Sequence, residues 1–338
     1  MKAGLRALWA LWFMLGAASA ADTRIVTDSA GRNIAVPAHI ERIFAAGTPA
    51  AITLYTLAPD KLLGWPMPVS EAEKAFMPAP YRDLPVLGRL TGRANTANVE
   101  TVLAAHPDII IDVGSVDPTH VSLADRIAAQ TGIPYLIYDG TLGNSVKLYT
   151  LLGALLGEEA KAAELAHYAE KTLAAIVPEA SGLRPRVYYA RGPDGSSTAM
   201  EGSLNGEFLH FVGAVNVASA EGITGLATIS PEQILAWDPE VVVTLDANFF
   251  RTIQNLPAWQ PVKAVREHRV YLSPSLPFGW IDTPPAVNRL LGVRWLTQIL
   301  HGDHPGTDLR AITRDFYAKF YHIELDDHQL ALLLAGAT

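Results

Sequence analysis

The sequence predicts an α/β protein of two lobes with mainly parallel sheets, joined by one long backbone helix, with a ligand cleft between the lobes. Three observations carry this. Short, continuously apolar runs alternate with helical segments on both sides of a midpoint. The midpoint itself, residues 144–177, is rich in Ala, Leu, Glu and Lys and lacks internal proline. One phrase occurs twice without gaps, at 98–111 and at 230–243.

After a polar hairpin over residues 24–37, turning near Ala30 and Gly31, the runs at 42–45, 62–64, 109–112 and 135–138 read as buried parallel strands. The second half repeats the pattern at 187–190, 241–245 and 270–272. Helical segments lie between them at 49–57, 122–131, 206–212 and 285–300. Each half is therefore Rossmann-like, and the division is 21–143, a helix over 144–177, and 178–338. An uninterrupted helix over 144–177 would run roughly 50 Å, enough to span two lobes side by side. Gly153 and Gly157 are its weak points. A single stiff connection implies small hinge motion. The tail over 308–334 alternates apolar and charged residues at helical spacing and is expected to pack across the back of a lobe.

Residues 1–20 read as an export leader. Lys2 and Arg6 precede an apolar run over 7–16, and Ala18-Ser19-Ala20 fits the small-x-small cleavage pattern, so the expected mature start is Ala21. The chain has no cysteine, hence no lipid-bearing lipobox, and a freely diffusing periplasmic monomer is expected. Its 338 residues are enough to bury a core without disulfides. A net charge of −8 gives no reason to propose nucleic acid as a partner.

In the duplicated phrase, Asn98 and Ser230 are good N-caps, Pro231 suits the first helical position, and Gln233 offers the second half of a capping box. A proline then ends each short helix before a buried strand. Glu100 and Glu232 fall in the first turn, where the helix dipole favours an anion, and that is already a sufficient local reason for them. The phrase N/S-x-E-x-hydrophobic-L-A-x-x-P-D/E, twice and flanking a helical midpoint, resembles the periplasmic iron–siderophore and vitamin B12 binding proteins, the helix-backbone class of ABC-importer solute-binding proteins. The resemblance extends over the mature chain, through RIFAAG at 42–47, KLLGW at 61–65, RVYYAR at 186–191, GAVN at 213–216 and VKAVREHRVY at 262–271. It implies that one glutamate at the tip of each lobe, here Glu100 and Glu232, docks onto arginines of a permease dimer. Separated anions on two lobes also suit electrostatic recognition of a two-fold partner.

Ligands of parallel α/β sheets bind beyond the carboxyl ends of the strands, which places a ligand between the lobes. In the corresponding loops Arg93, Arg191 and Arg251 suit an anionic chelate or carboxylate. Trp65, Phe250, Phe278 and Trp280 can form flat apolar walls, with core burial the competing reading for each, and Tyr189 reads as core. Arg191 and Trp280 are the foremost candidates. His120 is the histidine of these loops and a candidate for completing the coordination of a chelated metal. No convergent set for a bare metal is visible, and His301 with His304 reads as a helix-ending loop. No resident cofactor is called for.

The expected cargo is a metal chelate, foremost a ferric siderophore. Nickel or cobalt chelates, cobalamin and haem stay open, as does a ligand-presenting sensor or adaptor. Catalysis is disfavoured: there is no G-x-S-x-G elbow, no phosphate-binding loop and no cysteine nucleophile.

Overall fold

The computed structural model describes residues 22–92, 95–176, 182, 184–219, 223–302 and 308–335. The leader and its cleavage point, Arg93 and His304 lie outside them. Strands β1 (Thr23–Thr27) and β2 (Asn33–Pro37) form the expected antiparallel hairpin, with Gly31 at φ 75° in its turn. Buried Asp28 fastens that turn. One carboxylate oxygen accepts from the backbone of Ala30 and Arg32, and the other takes the backbone N–H of Ile137 at 3.1 Å.

The first lobe continues with β3 (Ile43–Ala45), α1 (Thr48–Leu57), two one-turn helices α2 (Glu71–Lys74) and α3 (Ala79–Arg82), α4 (Val99–Ala105), β4 (Ile109–Gly114), α5 (Pro118–Thr131) and β5 (Tyr135–Asp139). Its sheet is parallel, in the order β3-β4-β5, with Ile43 opposite Ile109 and Ile110 opposite Tyr135. The run at 62–64 makes only an isolated bridge, Leu62 to Ile43, rather than a strand. Beyond it Trp65 exchanges hydrogen bonds with Pro85 and Leu87, and a Cβ at Gly64 would meet that neighbouring chain.

The segment at 144–177 is not one helix. It divides into α6 (Ser145–Leu156) and α7 (Glu159–Ala174), with Gly157 left-handed at φ 73°. The helices pack on each other so closely that a Cβ at Gly153 would overlap the Cβ of Ala162. Nine residues along a straight helix would lie about 13 Å apart, so the chain has turned back here. Glycine at the C-cap position supplies the αL residue that ends α6.

The second lobe contains β6 (Arg186–Ala190), β7 (Ser197–Ala199), α8 (Phe208–Phe211), β8 (Val215–Asn216), β9 (Leu226–Thr228), α9 (Pro231–Trp237), β10 (Val241–Thr244), α10 (Ala247–Thr252), α11 (Lys263–Arg266) and β11 (Val270–Leu272). Its main sheet is parallel, β11-β10-β6-β8, with a small antiparallel β7–β9 pair beside it. Helices α12 (Arg289–His301), α13 (Leu309–Phe320) and α14 (Asp327–Leu334) close the chain.

The tail does more than cover one lobe. Phe316, Tyr317, Phe320 and Tyr321 are fully buried, and the Phe316 and Phe320 rings stack at 4.3 Å. Tyr55 of α1 donates to the Tyr321 carbonyl at 2.6 Å, and His322 bonds the Tyr55 carbonyl at 2.8 Å. One apolar cluster thus runs from Ile43 and Ile109 of the first sheet through Leu165 of α7 to Val187 and Val241 of the second. Among the described residues no helix is long and apolar enough to cross a membrane.

Candidate functional site

The carboxyl end of the first lobe's sheet and the segment between β7 and β8 of the second lobe line a cleft of about 650 Å³. The first lobe contributes Ser115 just after β4, Asp139 as the last residue of β5, and Asn144 from the turn that follows. The second contributes Ser203, Glu207, His210 and Phe211. The floor depends on Gly140. Its backbone N–H bonds the Gly114 carbonyl at 2.9 Å, and a Cβ there would come within 2.9 Å of the Gly114 backbone. Asp139 organises the next turn by accepting from Thr141 N at 2.9 Å and from the Asn144 amide at 2.5 Å.

Glu207 and Arg289 join the lobes beneath this cavity. One oxygen of Glu207 accepts from the Leu142 backbone N–H at 2.7 Å and also from Arg289. Arg289, 1% exposed, further donates to the carbonyls of Gly140 at 2.7 Å, Leu204 at 2.8 Å and Ala286 at 3.0 Å. Burial pulls its pKa below the ordinary arginine value, while the negative charges of Glu207 and Asp282 act against that pull. A buried guanidinium surrounded by acceptors is a structural clamp, not a free ligand donor.

A second buried cluster accounts for Arg191. Asp282, with no exposed surface, pairs with Arg191 at 3.2 Å and accepts from the Tyr189 hydroxyl at 3.1 Å and Asn205 at 2.9 Å. Burial foremost, then the Asp282 charge, raises the Tyr189 pKa well above its ordinary value.

The structure separates most of the residues proposed from sequence. Trp280 has no exposed surface and its indole donates to the Tyr317 hydroxyl at 3.3 Å, so it belongs to the core rather than to a cleft wall. Trp65 is buried beside Tyr55 and Phe278, with its indole bonded to the Tyr81 carbonyl at 2.7 Å. Phe250 packs against the second-lobe core, and Arg251 is exposed near the end of α10. None of these, nor Arg191, is among the residues lining the cavity.

His120 is not in a loop. Asp117 caps α5 by accepting from Thr119 N and His120 N, and its second oxygen meets His120 Nδ1 at 2.8 Å. That hydrogen bond with His120 holds the Asp117 carboxyl below its usual range. The Asp117-Pro118 pair is an N-cap followed by a first-turn proline, a signal that moves the helix start four residues earlier than the expected Ser122. His210, which does line the cavity, sits on the single turn α8 within the helical segment 206–212, outside the loops that strand ends lead into. Among the described residues no three His, Asp or Glu side chains gather as a metal-ligand set.

The duplicated phrase forms matching modules. Asn98 accepts from Thr101 N at 2.9 Å and Ser230 from Gln233 N at 3.2 Å. The helices end in left-handed His106 and Asp238, at φ 47° and 40°. Arg42, just before β3, donates to the carbonyls of Ala105 and His106, and Arg186, the first residue of β6, donates to that of Trp237. Asp108 and Glu240 answer by accepting the backbone N–H of those same arginines at 2.8 and 3.1 Å. Glu100 and Glu232 stand exposed on the two helices. The backbone N–H of Glu232 and the Ser230 hydroxyl hold the Glu232 carboxyl below its usual value.

Comparison with known proteins agrees with this architecture. The chain is 26% identical over 335 residues to the molybdate-binding protein MolA of Haemophilus influenzae, covering 90% of this chain and 92% of that protein. It is 30% identical over 222 residues to a cobalamin-binding protein of Halobacterium salinarum, covering 64% of this chain and 57% of that one. An ABC transporter solute-binding protein from Sulfurospirillum deleyianum superposes with a TM-score of 0.81 at 29% identity, over 92% of this chain and 99% of that one. The family described as periplasmic binding protein matches residues 60–276, most of the chain, and the protein belongs to that family.

Proposed function

We propose that this protein captures a metal chelate, foremost a ferric siderophore, in the inter-lobe cavity and delivers it to the permease dimer of an ABC importer. The observation that carries this is the cavity itself. Walls from both lobes border an open cleft of about 650 Å³, within the range of small-molecule sites. A chelate brings its own first coordination sphere, so the protein need offer only one completing donor. His210, exposed on the cleft lining beside Phe211, is the donor that supports this reading. The exposed positions of Glu100 and Glu232 on two equivalent helices support docking through them. The chain acts in the periplasm as a monomer, after cleavage behind Ala20.

Similarity to MolA over nearly the whole chain favours a second reading, molybdate as cargo. One observation weighs against it: the cleft is large for a single tetrahedral oxyanion. Native mass spectrometry with metal analysis, on protein recovered from its periplasm, tests both readings. The expected species is a monomer beginning at Ala21 with one retained iron chelate. Retained molybdate without a chelator overturns the siderophore reading and leaves the capture function standing.

A further inference from the structure

The two lobe-tip helices share more than their glutamates. Over the fourteen aligned positions the phrase keeps four identities: Glu100 with Glu232, Leu103 with Leu235, Ala104 with Ala236, and Pro107 with Pro239. The prolines have a backbone reason, since each follows a helix-ending αL residue. The other three pairs are all exposed, Leu103 at 42% and Leu235 at 43%. Positions that face inward or finish the helices have instead drifted. Val102 pairs with Ile234, Ala105 with Trp237 and His106 with Asp238.

That pattern reverses what folding alone produces. A lone exposed leucine needs no explanation, and a solvent-facing position with no partner is free to change. Here the retained identities lie at i, i+3 and i+4, which is one face of a helix. The opposite face is fixed to its lobe by buried Val102 or Ile234. The arginine bonds to the helix carboxyl ends hold both helices in the same manner.

We infer that Glu-Leu-Ala forms a composite docking face on each lobe, with the leucine as an apolar anchor beside the anion and the alanine permitting close approach. The partner it fits presents the same surface twice: a cationic side chain bordering an apolar groove, on each subunit of the permease dimer. This rests on the docking role proposed for Glu100 and Glu232. It adds a salt-insensitive component to an otherwise ionic contact.

The test measures affinity of the full-length mature protein for inner-membrane vesicles of its own source, with vesicles lacking the permease as blank. Three proteins are compared at low and high salt: the native protein, Leu103→Ala with Leu235→Ala, and Glu100→Gln with Glu232→Gln. Burying a leucine is worth about tenfold in affinity, so the leucine pair is expected to cost roughly a hundredfold at both salt concentrations. The glutamine pair is expected to lose mainly the salt-dependent part. Leucine variants that bind like the native protein, while the glutamine pair fails, overturn the apolar anchor and keep the docking glutamates. Native affinity in both variants overturns the docking reading itself. These side chains are exposed, and unchanged melting temperatures confirm that the variants are folded.

Discussion

Arg289 of the second lobe and Glu207 form an ion pair that also holds the first lobe, because the same pair bonds Gly140 and Leu142 of the β5 exit turn. Cleft geometry and lobe attachment therefore share one set of hydrogen bonds. Removing Glu207 leaves a buried cation hydrogen-bonded only to carbonyls, with the charge of Asp282 as its remaining counter-charge. Glu207→Ala is expected to lower unfolding free energy by about 3 kcal/mol, since breaking a buried pair costs more than forming it returns. Urea denaturation checks this, and a loss below about 1 kcal/mol would show that the pair is not a clamp.

The turn between α6 and α7 supplies a packing prediction. Gly153→Ala is expected to destabilise by about 1–3 kcal/mol, because its Cβ needs the space of Ala162, even though alanine is the better helix former. Adding Ala162→Gly should recover most of the loss. Strict additivity of the two changes in a double-mutant cycle would refute direct contact.

His322 gives a pH dependence with a definite sign. Burial lowers its pKa below the ordinary 6.5, with the hydrogen bond to the Tyr55 carbonyl opposing. The unfolded chain therefore binds the proton first as pH falls. Stability attributable to this group is complete above about pH 6.5 and declines below it, by up to ~1.4 kcal/mol per pH unit. His322→Gln should flatten that part of the profile between about pH 7 and 5, and an unchanged slope would assign the acid sensitivity elsewhere.

For delivery, Glu100→Arg and Glu232→Arg are expected to abolish uptake by whole cells while cargo affinity of the purified protein stays within about twofold, since neither residue lines the cavity. Normal transport by the double variant would remove the docking role.

Much of the candidate site was not legible in the chain. Trp280 and Arg191 stand just past strand ends, where ligand residues are sought, yet one is claimed by Tyr317 and the other by Asp282, partners 37 and 91 residues away. Contacts at such separation leave no local pattern. His210 carried a signal of the wrong kind: a single helical turn that lies at the cavity.

The sequence alone determined the two parallel α/β lobes, because strand burial and helix capping are local and leave periodic marks. It also determined the equivalence of the lobe tips, because a repeated phrase folds into a repeated module. Tertiary structure alone decided that residues 144–177 turn back at Gly157, since close packing of Gly153 on Ala162 favours a helix pair over a rod. It also decided that the tail ties both lobes together, and which strand-end residues reach the cavity. Those outcomes depend on which buried groups find partners across the fold, and no sequence period records that.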